Sequence, residues 1–126
     1  MGVMNMFDIS FYQGKKVLVT GHTGFKGAWL SKLLLNAGAN VTGYSLCSEK
    51  ENSLFEIANI AQQVNHFQGD IRNLGHMLQV FAVIKPEIVF HLAAQPIVRE
   101  GYANPVYTYE TNVMGTVNIL ECVRQT

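Results

Sequence analysis

Three glycines stand at three-residue spacing directly after a β-branched run, and this is the chain's clearest chemical signal. The run is Lys16–Thr20, and Gly21, Gly24 and Gly27 follow it before a helical pattern begins. A helix that starts at a glycine turn leaves N–H groups free at its positive end, which stabilises a bound phosphate. Gly21 is expected to allow the tight turn, Gly24 to let a ligand approach the backbone, and Gly27 to let helix and strand pack closely. The pattern therefore predicts a pyrophosphate site, although glycine turns also occur for packing alone.

Other side chains near this loop have two readings each. His22 and Lys26 are interpreted either as phosphate contacts or as solvent-exposed groups. Phe25 and Trp29 are expected to pack against the protein rather than to stack on a base. His91, on an apolar run, is interpreted as a core histidine rather than as a catalytic base.

Four apolar or β-branched runs predict the strands that position these residues. The strands are expected at residues 16–20, 40–45, 64–68 and 87–92. The fourth is apolar enough to be central in a parallel sheet. Residues 1–14 are interpreted as a leader without structure beyond a turn at Gln13-Gly14.

The predicted helices have recognisable ends. The first is expected to end at Gly38, and Ser53 and Asn73 are expected to cap the next two. The buried face of the first helix is expected to carry Leu30, Leu33, Leu34 and Ala37. A polar loop with two prolines is then expected to lead into a last helix over residues 106–124.

Strands that alternate with helices in this way predict an α/β fold, a doubly wound parallel sheet of the Rossmann type. About four strands fit within residues 15–126, so the sheet is expected to be incomplete. Ligands of such sheets bind outside the carboxyl ends of the strands. Gly21–Gly27, Tyr44-Ser45, Asp70 and Leu92–Gln95 all follow strand ends and are expected to meet in one crevice.

The composition excludes several classes of partner. Nine basic and nine acidic side chains give zero net charge without a basic stripe, which argues against nucleic acid or an anionic membrane. No run approaches a membrane span or a signal sequence. Cys47 and Cys122 are far apart and lack metal-ligand spacing. We therefore expect no metal site and two reduced thiols in a cytoplasmic protein.

Four sequence blocks carry a family resemblance and occur in that family's order. The blocks are Thr20-Gly21-x-x-Gly24-x-x-Gly27, Gly69-Asp70-Ile71-Arg72, His91-Leu92-Ala93-Ala94-Gln95 and Thr111-Asn112-Val113-x-Gly115-Thr116. They resemble the extended short-chain dehydrogenase/reductases, the family of NAD-dependent epimerases and dehydratases, from about residue 11 to residue 126. Residues 21–27 and 93–99 are most similar to the branch of nucleotide-sugar 4,6-dehydratases that acts on CDP-glucose.

The resemblance implies a tightly held NAD that oxidises the sugar C4 hydroxyl. Water is then lost across C5 and C6, and hydride returns to C6. The residues expected to contact the cofactor are Gly21, His22, Thr23, Gly24, Phe25, Lys26, Gly27, Ser45, Asp70, Ile71, Leu92, Ala93, Ala94, Gln95 and Thr111. The resemblance also implies a homodimer through the helix over residues 106–124. A nucleotide-sugar epimerase and a non-catalytic NAD-binding module both remain open as alternatives.

Two features depart from the family pattern. The second strand ends in Tyr44-Ser45-Leu46, where NAD-binding sheets usually have an acidic residue for the adenosine ribose. Ser45 offers a weaker hydrogen bond, and no arginine stands there for a 2′-phosphate, so NAD is expected to be favoured over NADP. The family's catalytic Tyr-x-x-x-Lys pair follows a fifth strand. No catalytic residue is therefore assigned, and the chain is interpreted as the amino-terminal part of an enzyme.

Overall fold

The described part of the chain, residues 9–46 and 53–126 of a computed structural model, forms one parallel sheet with helices on both faces. Its strands are β1 (Lys16–Thr20), β2 (Asn40–Ser45), β3 (Asn65–Gln68) and β4 (Ile88–His91). Their order is β3-β2-β1-β4, and each neighbouring pair is parallel. The predicted Rossmann-type α/β fold is confirmed. β4, predicted to be central, is an edge strand among these four, and all its residues are only half-buried.

Helices connect the strands and continue after β4. They are α1 (Phe25–Asn36), α2 (Leu54–Ile57), α3 (Leu74–Ile84), α4 (Val98–Ala103), α5 (Pro105–Tyr109) and α6 (Gly115–Gln125). A π-helical segment, Glu110–Met114, joins α5 to α6. The predicted last helix thus begins at Pro105 and has a wider turn in its middle. The sequence pattern missed α4 because it has six residues, none of them buried, and so has no apolar periodicity.

Residues 9–14 are more structured than a leader. Ile9–Tyr12 form a 3₁₀ turn, and the ring of Tyr12 lies 6.5 Å from that of Phe90. The Gly14 N–H donates to the Gly38 carbonyl at 2.9 Å. The predicted turn at Gln13-Gly14 is confirmed, because the Lys15 N–H donates to the Tyr12 carbonyl at 3.0 Å.

The predicted helix ends are also confirmed. Ser53 Oγ accepts a hydrogen bond from the Glu56 N–H at 3.3 Å, and Asn73 Oδ1 accepts one from the His76 N–H at 3.1 Å. Gly38 follows α1 with a φ of +83°, the left-handed conformation expected of a helix end.

β1 divides the core between the two faces of the sheet. Val17 and Val19 pack with Leu34 of α1 on one face. Leu18 points to the other face, into a cluster that α3 and α6 cover. Because successive strand residues face opposite ways, the run predicted as β1 is buried on both sides. Because β1 is buried on both sides, the position of Gly21, the residue that follows it at the carboxyl edge of the sheet, is fixed.

The buried face of α1 differs from the predicted one. Gly27, Ala28, Ser31 and Leu34 are buried, whereas Leu33 is 57% exposed. The close approach of Gly27 to the β1 turn sets which face of α1 meets the sheet, and the residues at helical spacing from Gly27 are the buried ones. The predicted packing of Phe25 and Trp29 is wrong for the same reason, since they are 71% and 55% exposed.

Candidate functional site

The glycine turn after β1 has the tight geometry that the spacing predicts. Gly21 has a φ of +77°, its N–H donates to the Tyr44 carbonyl at 2.9 Å, and its carbonyl accepts from the Gly24 N–H at 3.1 Å. A Cβ on Gly21 would lie 2.8 Å from the Ala93 nitrogen, closer than van der Waals contact allows. Gly21 is therefore required both by its φ and by the neighbouring strand end.

The other two glycines have different reasons to lack a side chain. A Cβ on Gly27 would overlap the Gly21 carbonyl oxygen, so Gly27 permits the close approach of α1 to the turn. A Cβ on Gly24 would have only an ordinary contact of 3.5 Å with that same oxygen. The φ of Gly24 is −77°, which any residue adopts. The fold alone does not require a glycine at position 24.

The amino end of α1 lacks a side-chain cap. Gly24 is its N-cap residue, and no side chain among the described residues accepts a hydrogen bond there, in contrast to α2 and α3. The first N–H groups of a helix have no partner within the helix, and the dipole adds positive potential. The end of α1 thus offers donors to an anion.

A crevice of about 730 Å³ lies at this end of α1, along the carboxyl ends of the strands. It brings together thirteen of the fifteen predicted contact residues. They are Gly21, Thr23, Gly24, Phe25, Lys26, Gly27, Ser45, Asp70, Ile71, Leu92, Ala93, Ala94 and Thr111. Lys26 is exposed at the rim, and Phe25, which does not pack in the core, forms part of the wall.

His22 is the first predicted residue that the structure places elsewhere, and both interpretations of it are wrong. Its side chain is fully buried on the other side of the loop, where Nε2 lies 2.7 Å from His66 Nδ1. Its ring meets the Phe55 ring edge-on, in space that the absent side chain of Gly43 leaves open. Burial, and to a lesser extent His66, lower the pKa of His22 to about 4. An uncharged imidazole turned away from the crevice cannot neutralise a phosphate.

Gln95 is the second predicted contact residue that the structure places outside the crevice. Its side-chain amide donates to Thr108 Oγ1 at 2.9 Å and to the Ile97 carbonyl at 3.1 Å, away from the crevice. Its backbone is held by Asn112, which accepts from the Gln95 N–H at 2.7 Å and donates to the Gln95 carbonyl at 3.0 Å. Gln95 therefore anchors the loop that follows β4 rather than lining the site.

Asp70 lies in a charged cluster at the crevice wall. Arg72 Nη2 is 2.6 Å from the Asp70 carboxylate, and Arg72 Nη1 is 3.3 Å from Glu110. The guanidinium also lies 4.8 Å from the centre of the Tyr107 ring. Hydrogen bonding from Arg72 lowers the pKa of Asp70, so the carboxylate is charged at neutral pH. A carboxylate has about four acceptor positions, and the backbone N–H, Nε and Nη2 of Arg72 already donate to Asp70, which leaves about one position for a ligand donor.

The sequence missed five residues that also line the crevice: Leu46, Gly69, His91, Pro96 and Tyr107. Leu46, Gly69 and Pro96 are sequence neighbours of predicted residues, so a wider reading of the strand ends would have included them. Tyr107 gave no signal, because only the turn of α5 towards Arg72 brings it to the site.

Thr111 combines burial with an unused polar group. It is 7% exposed in the π-helical segment, and its Oγ1 has no hydrogen-bond partner among the described residues. A buried hydroxyl without a partner is costly, and π-helical turns are frequent at functional sites. Both observations indicate a position that a ligand completes.

Neither a metal site nor a membrane span occurs in the described part of the chain. No cluster of three His, Cys, Asp or Glu side chains there could hold a metal ion, and none of the described helices is long and apolar enough to cross a membrane. Cys122 is a buried free thiol whose pKa is raised by burial, while Cys47 lies outside the described residues.

One Tyr-x-x-x-Lys spacing does occur in the chain, at Tyr12 and Lys16. These two residues stand at the amino end of β1, opposite the crevice. Their position excludes them from chemistry on a ligand held at the carboxyl edge of the sheet.

A parallel sheet with helices on both faces and a glycine crevice at its carboxyl edge defines a Rossmann-like α/β domain. The chain belongs to the GDP-mannose 4,6 dehydratase family, whose sequence pattern matches residues 18–126. It is 53% identical over 120 residues to the CDP-glucose 4,6-dehydratase of Salmonella typhimurium, covering 95% of this chain and 33% of that protein.

Solved structures with the same fold include two epimerases. Epimerase Mth375 from Methanothermobacter thermautotrophicus superposes with a TM-score of 0.80 at 32% identity, over 93% of this chain and 34% of that one. UDP-glucose 4-epimerase from Thermus thermophilus, solved with NAD, gives a TM-score of 0.77 at 32% identity, over 87% and 34%. The chain therefore spans about a third of the length of the proteins it matches.

Proposed function

We propose that this chain is the NAD-binding part of a cytoplasmic nucleotide-sugar 4,6-dehydratase that converts CDP-glucose to its 4-keto-6-deoxy derivative. The observation that carries the cofactor assignment is Gly24, whose missing side chain the fold does not need and which opens on the uncapped end of α1. The substrate assignment is supported by the 53% identity to a CDP-glucose 4,6-dehydratase. The buried, reduced Cys122 fits a cytoplasmic location.

The crevice residues fit NAD from one end to the other. The first amides of α1 bind the pyrophosphate, and the Thr23 and Ser45 hydroxyls receive the adenosine ribose. Asp70 accepts from the adenine amino group beside Ile71. Leu92, Ala93, Ala94 and Thr111 line the nicotinamide side. When bound, NAD supplies a reversible hydride acceptor, which the sugar C4 oxidation requires.

NAD is favoured over NADP in this proposal. The Thr23–Ser45 hydroxyl pair is neutral, and no arginine lies among the residues described around the crevice that could pair with a 2′-phosphate. The guanidinium of Arg72, in the charged cluster at the crevice wall, is already paired with Asp70 and Glu110.

The acid and base for the sugar chemistry are not assigned within residues 1–126. The Tyr12–Lys16 pair is at the wrong edge of the sheet, and the pKa of His91 is lowered by burial within a hydrogen-bonded network.

An epimerase would use the same domain, and the 36% identity to a UDP-glucose 4-epimerase of Neisseria meningitidis supports that alternative less strongly.

The proposal also includes a homodimer. Seven apolar or aromatic side chains along α5, the π-helical segment and α6 are between 47% and 68% exposed: Val106, Tyr109, Val113, Met114, Val117, Leu120 and Val123. Apart from the adjacent pair Val113 and Met114, they recur at three- or four-residue spacing and form one outward stripe. The opposite face of α6 is already buried, through Asn118, Ile119 and Cys122. A second copy would remove the outward stripe from water.

Two measurements test the enzyme assignment. Residues 1–126 are expected to bind NAD weakly by calorimetry, with Gly24→Val as the negative control, and to leave CDP-glucose unchanged. The enzyme that contains this domain is expected to convert CDP-glucose to a product that has lost one water, as seen by mass spectrometry. Interconversion of sugar epimers without loss of water would assign the epimerase instead. NAD binding without any conversion would favour the non-catalytic module.

A further inference from the structure

The loop that follows β4 is held by a continuous series of hydrogen bonds that passes through His91. Thr20 Oγ1 accepts from the Leu92 N–H and from the Ala93 N–H, both at 3.1 Å, and the Leu92 N–H is shared with the Thr20 backbone carbonyl, also at 3.1 Å. Thr20 Oγ1 also lies 2.7 Å from His91 Nδ1. On the other side of the ring, His91 Nε2 lies 3.1 Å from Thr116 Oγ1.

The donors and acceptors in this chain fix the proton position on His91. A hydroxyl has two lone pairs and one proton, and the two backbone N–H groups occupy both lone pairs of Thr20. The Thr20 proton must therefore go to His91 Nδ1, which accepts. Thr116 donates its own proton to the Asn112 carbonyl at 2.7 Å, so it accepts from His91 Nε2–H. Only the neutral Nε2–H tautomer satisfies every atom.

The network also joins the two ends of the loop. Thr20 holds the backbone at Leu92 and Ala93, while Asn112, whose carbonyl accepts from Thr116, holds both backbone groups of Gln95. Between these anchors lies the backbone of Leu92, Ala93 and Ala94, which lines the crevice. It passes so close to Gly21 that no Cβ fits there.

We propose that His91 is a positioning residue that acts through Thr20. As the neutral Nε2–H tautomer, His91 accepts the Thr20 proton and so directs both Thr20 lone pairs at the Leu92 and Ala93 amides. This holds the backbone of Leu92 and Ala93, which forms one wall of the crevice, beside Gly21. The part that concerns NAD affinity rests on the proposed function, whereas the tautomer and the loop anchoring do not.

The surroundings of His91 are consistent with a neutral ring. Burial lowers its pKa, and no charged side chain among the described residues contributes to that shift. Its contacts from β1 and α6 are the hydroxyls of Thr20 and Thr116. Protonation of Nδ1 would turn a third N–H donor towards Thr20 Oγ1, whose two lone pairs are already in use. The hydrogen bond from Thr20 to Nδ1 would then be lost.

The first test uses the protein without cofactor. Nitrogen-15 NMR of labelled histidines is expected to show His91 with an unprotonated Nδ1 and a protonated Nε2 at neutral pH. The opposite tautomer, or a charged ring, would overturn the proposal.

The second test compares matched variants by amide hydrogen exchange. Thr20→Val removes the hydroxyl, and His91→Leu removes the acceptor that directs it. Both are expected to speed exchange of the Ala93 amide by at least about tenfold, while the Leu92 amide keeps its bond to the Thr20 backbone carbonyl and changes less. Thr20→Ser keeps the hydroxyl, and His91→Asn keeps an acceptor near the Nδ1 position. Both are expected to exchange nearly as the wild type does. Unchanged exchange in folded Thr20→Val would overturn the proposal even if His91→Leu fails to fold.

The third test adds NAD titration of the same variants, with melting temperature measured in parallel. Affinity is expected to follow the exchange rates, with Thr20→Ser near the wild type and Thr20→Val weaker by about tenfold. If the wild type does not bind NAD, the proposed function fails while the NMR and exchange results still decide the positioning role. Equal NAD affinity in folded Thr20→Ser and Thr20→Val would overturn the link to the crevice.

Discussion

Thr23 Oγ1 lies 2.8 Å from Ser45 Oγ, so two hydroxyls meet at the end of β2 where an acidic residue commonly stands in NAD-binding sheets. The pair joins the glycine loop to the second strand and faces the crevice. It can donate to and accept from a ribose, but it has no charge with which to repel a 2′-phosphate.

Adding that charge should sharpen cofactor choice. Ser45→Asp is expected to raise the NAD-to-NADP affinity ratio by about tenfold or more, because a carboxylate repels the phosphate and accepts from both ribose hydroxyls. Ser45→Ala, the matched control, is expected to weaken both cofactors alike. Calorimetry with each cofactor measures the ratio, and an unchanged ratio in Ser45→Asp would place the ribose elsewhere.

Gly24 and Gly27 are expected to respond in opposite ways to an added side chain. Gly24→Val should leave the free energy of unfolding nearly unchanged and weaken NAD binding by at least about tenfold, because its side chain enters the crevice. Gly27→Ala should destabilise the fold by about 1–3 kcal/mol through its overlap with the Gly21 carbonyl. Urea denaturation and calorimetry on both variants separate the two effects. If Gly24→Val bound NAD as tightly as the wild type does, the glycine loop would not be part of the NAD site.

Stability is expected to depend on pH through His22. Its pKa is about 4 in the folded protein against an ordinary value of 6.5, so the unfolded chain takes up the proton first as pH falls. The folded state therefore loses stability between pH 6.5 and about 4, by up to about 3 kcal/mol for this one group. Urea denaturation at about pH 7 and about pH 5 should show a smaller loss in His22→Gln than in the wild type. An equal loss in both proteins would contradict the prediction.

The outward apolar stripe predicts a dimer that one charge can break. Leu120→Glu is expected to shift the protein to monomer in analytical ultracentrifugation, because an unpaired carboxylate in the interface is costly. Val83→Glu is the matched control, since Val83 is also exposed but lies on α3 outside the stripe. A monomeric wild type, or a dimer that survives Leu120→Glu, would count against this interface.

Patterns carried by neighbouring residues were predictable from the sequence. The strand ends, the helix caps at Ser53 and Asn73 and the left-handed Gly38 depend on local chemistry, and the structure has them where they were predicted. Eleven of the thirteen predicted crevice residues followed from one topological rule, that parallel strands deliver their carboxyl ends to one edge, whereas Ile71 and Thr111 came from the family resemblance.

The misses have non-local causes. His22 is drawn under the loop because Gly43 on β2 leaves room for its ring and His66 on β3 offers a partner. Leu33 is exposed because the contact of Gly27 with the β1 turn puts Gly27, Ala28 and Leu34 on the sheet face and so turns Leu33 outward. Neither contact has a signature within a window of residues, because each depends on how far apart two elements pack.

The π-helical segment makes the winding of the chain, and not only residue type, part of this site. One residue of an α-helix turns the chain by about 100°, and a wider turn over Glu110–Met114 absorbs one residue more than a regular helix would. Winding the same residues as a regular α-helix would rotate α5 by roughly that angle about the axis of α6. Tyr107 would then leave Arg72, Glu110 would lose its ion pair, and Thr111 would no longer line the crevice. The wider turn thus brings Tyr107 and Thr111 to the crevice.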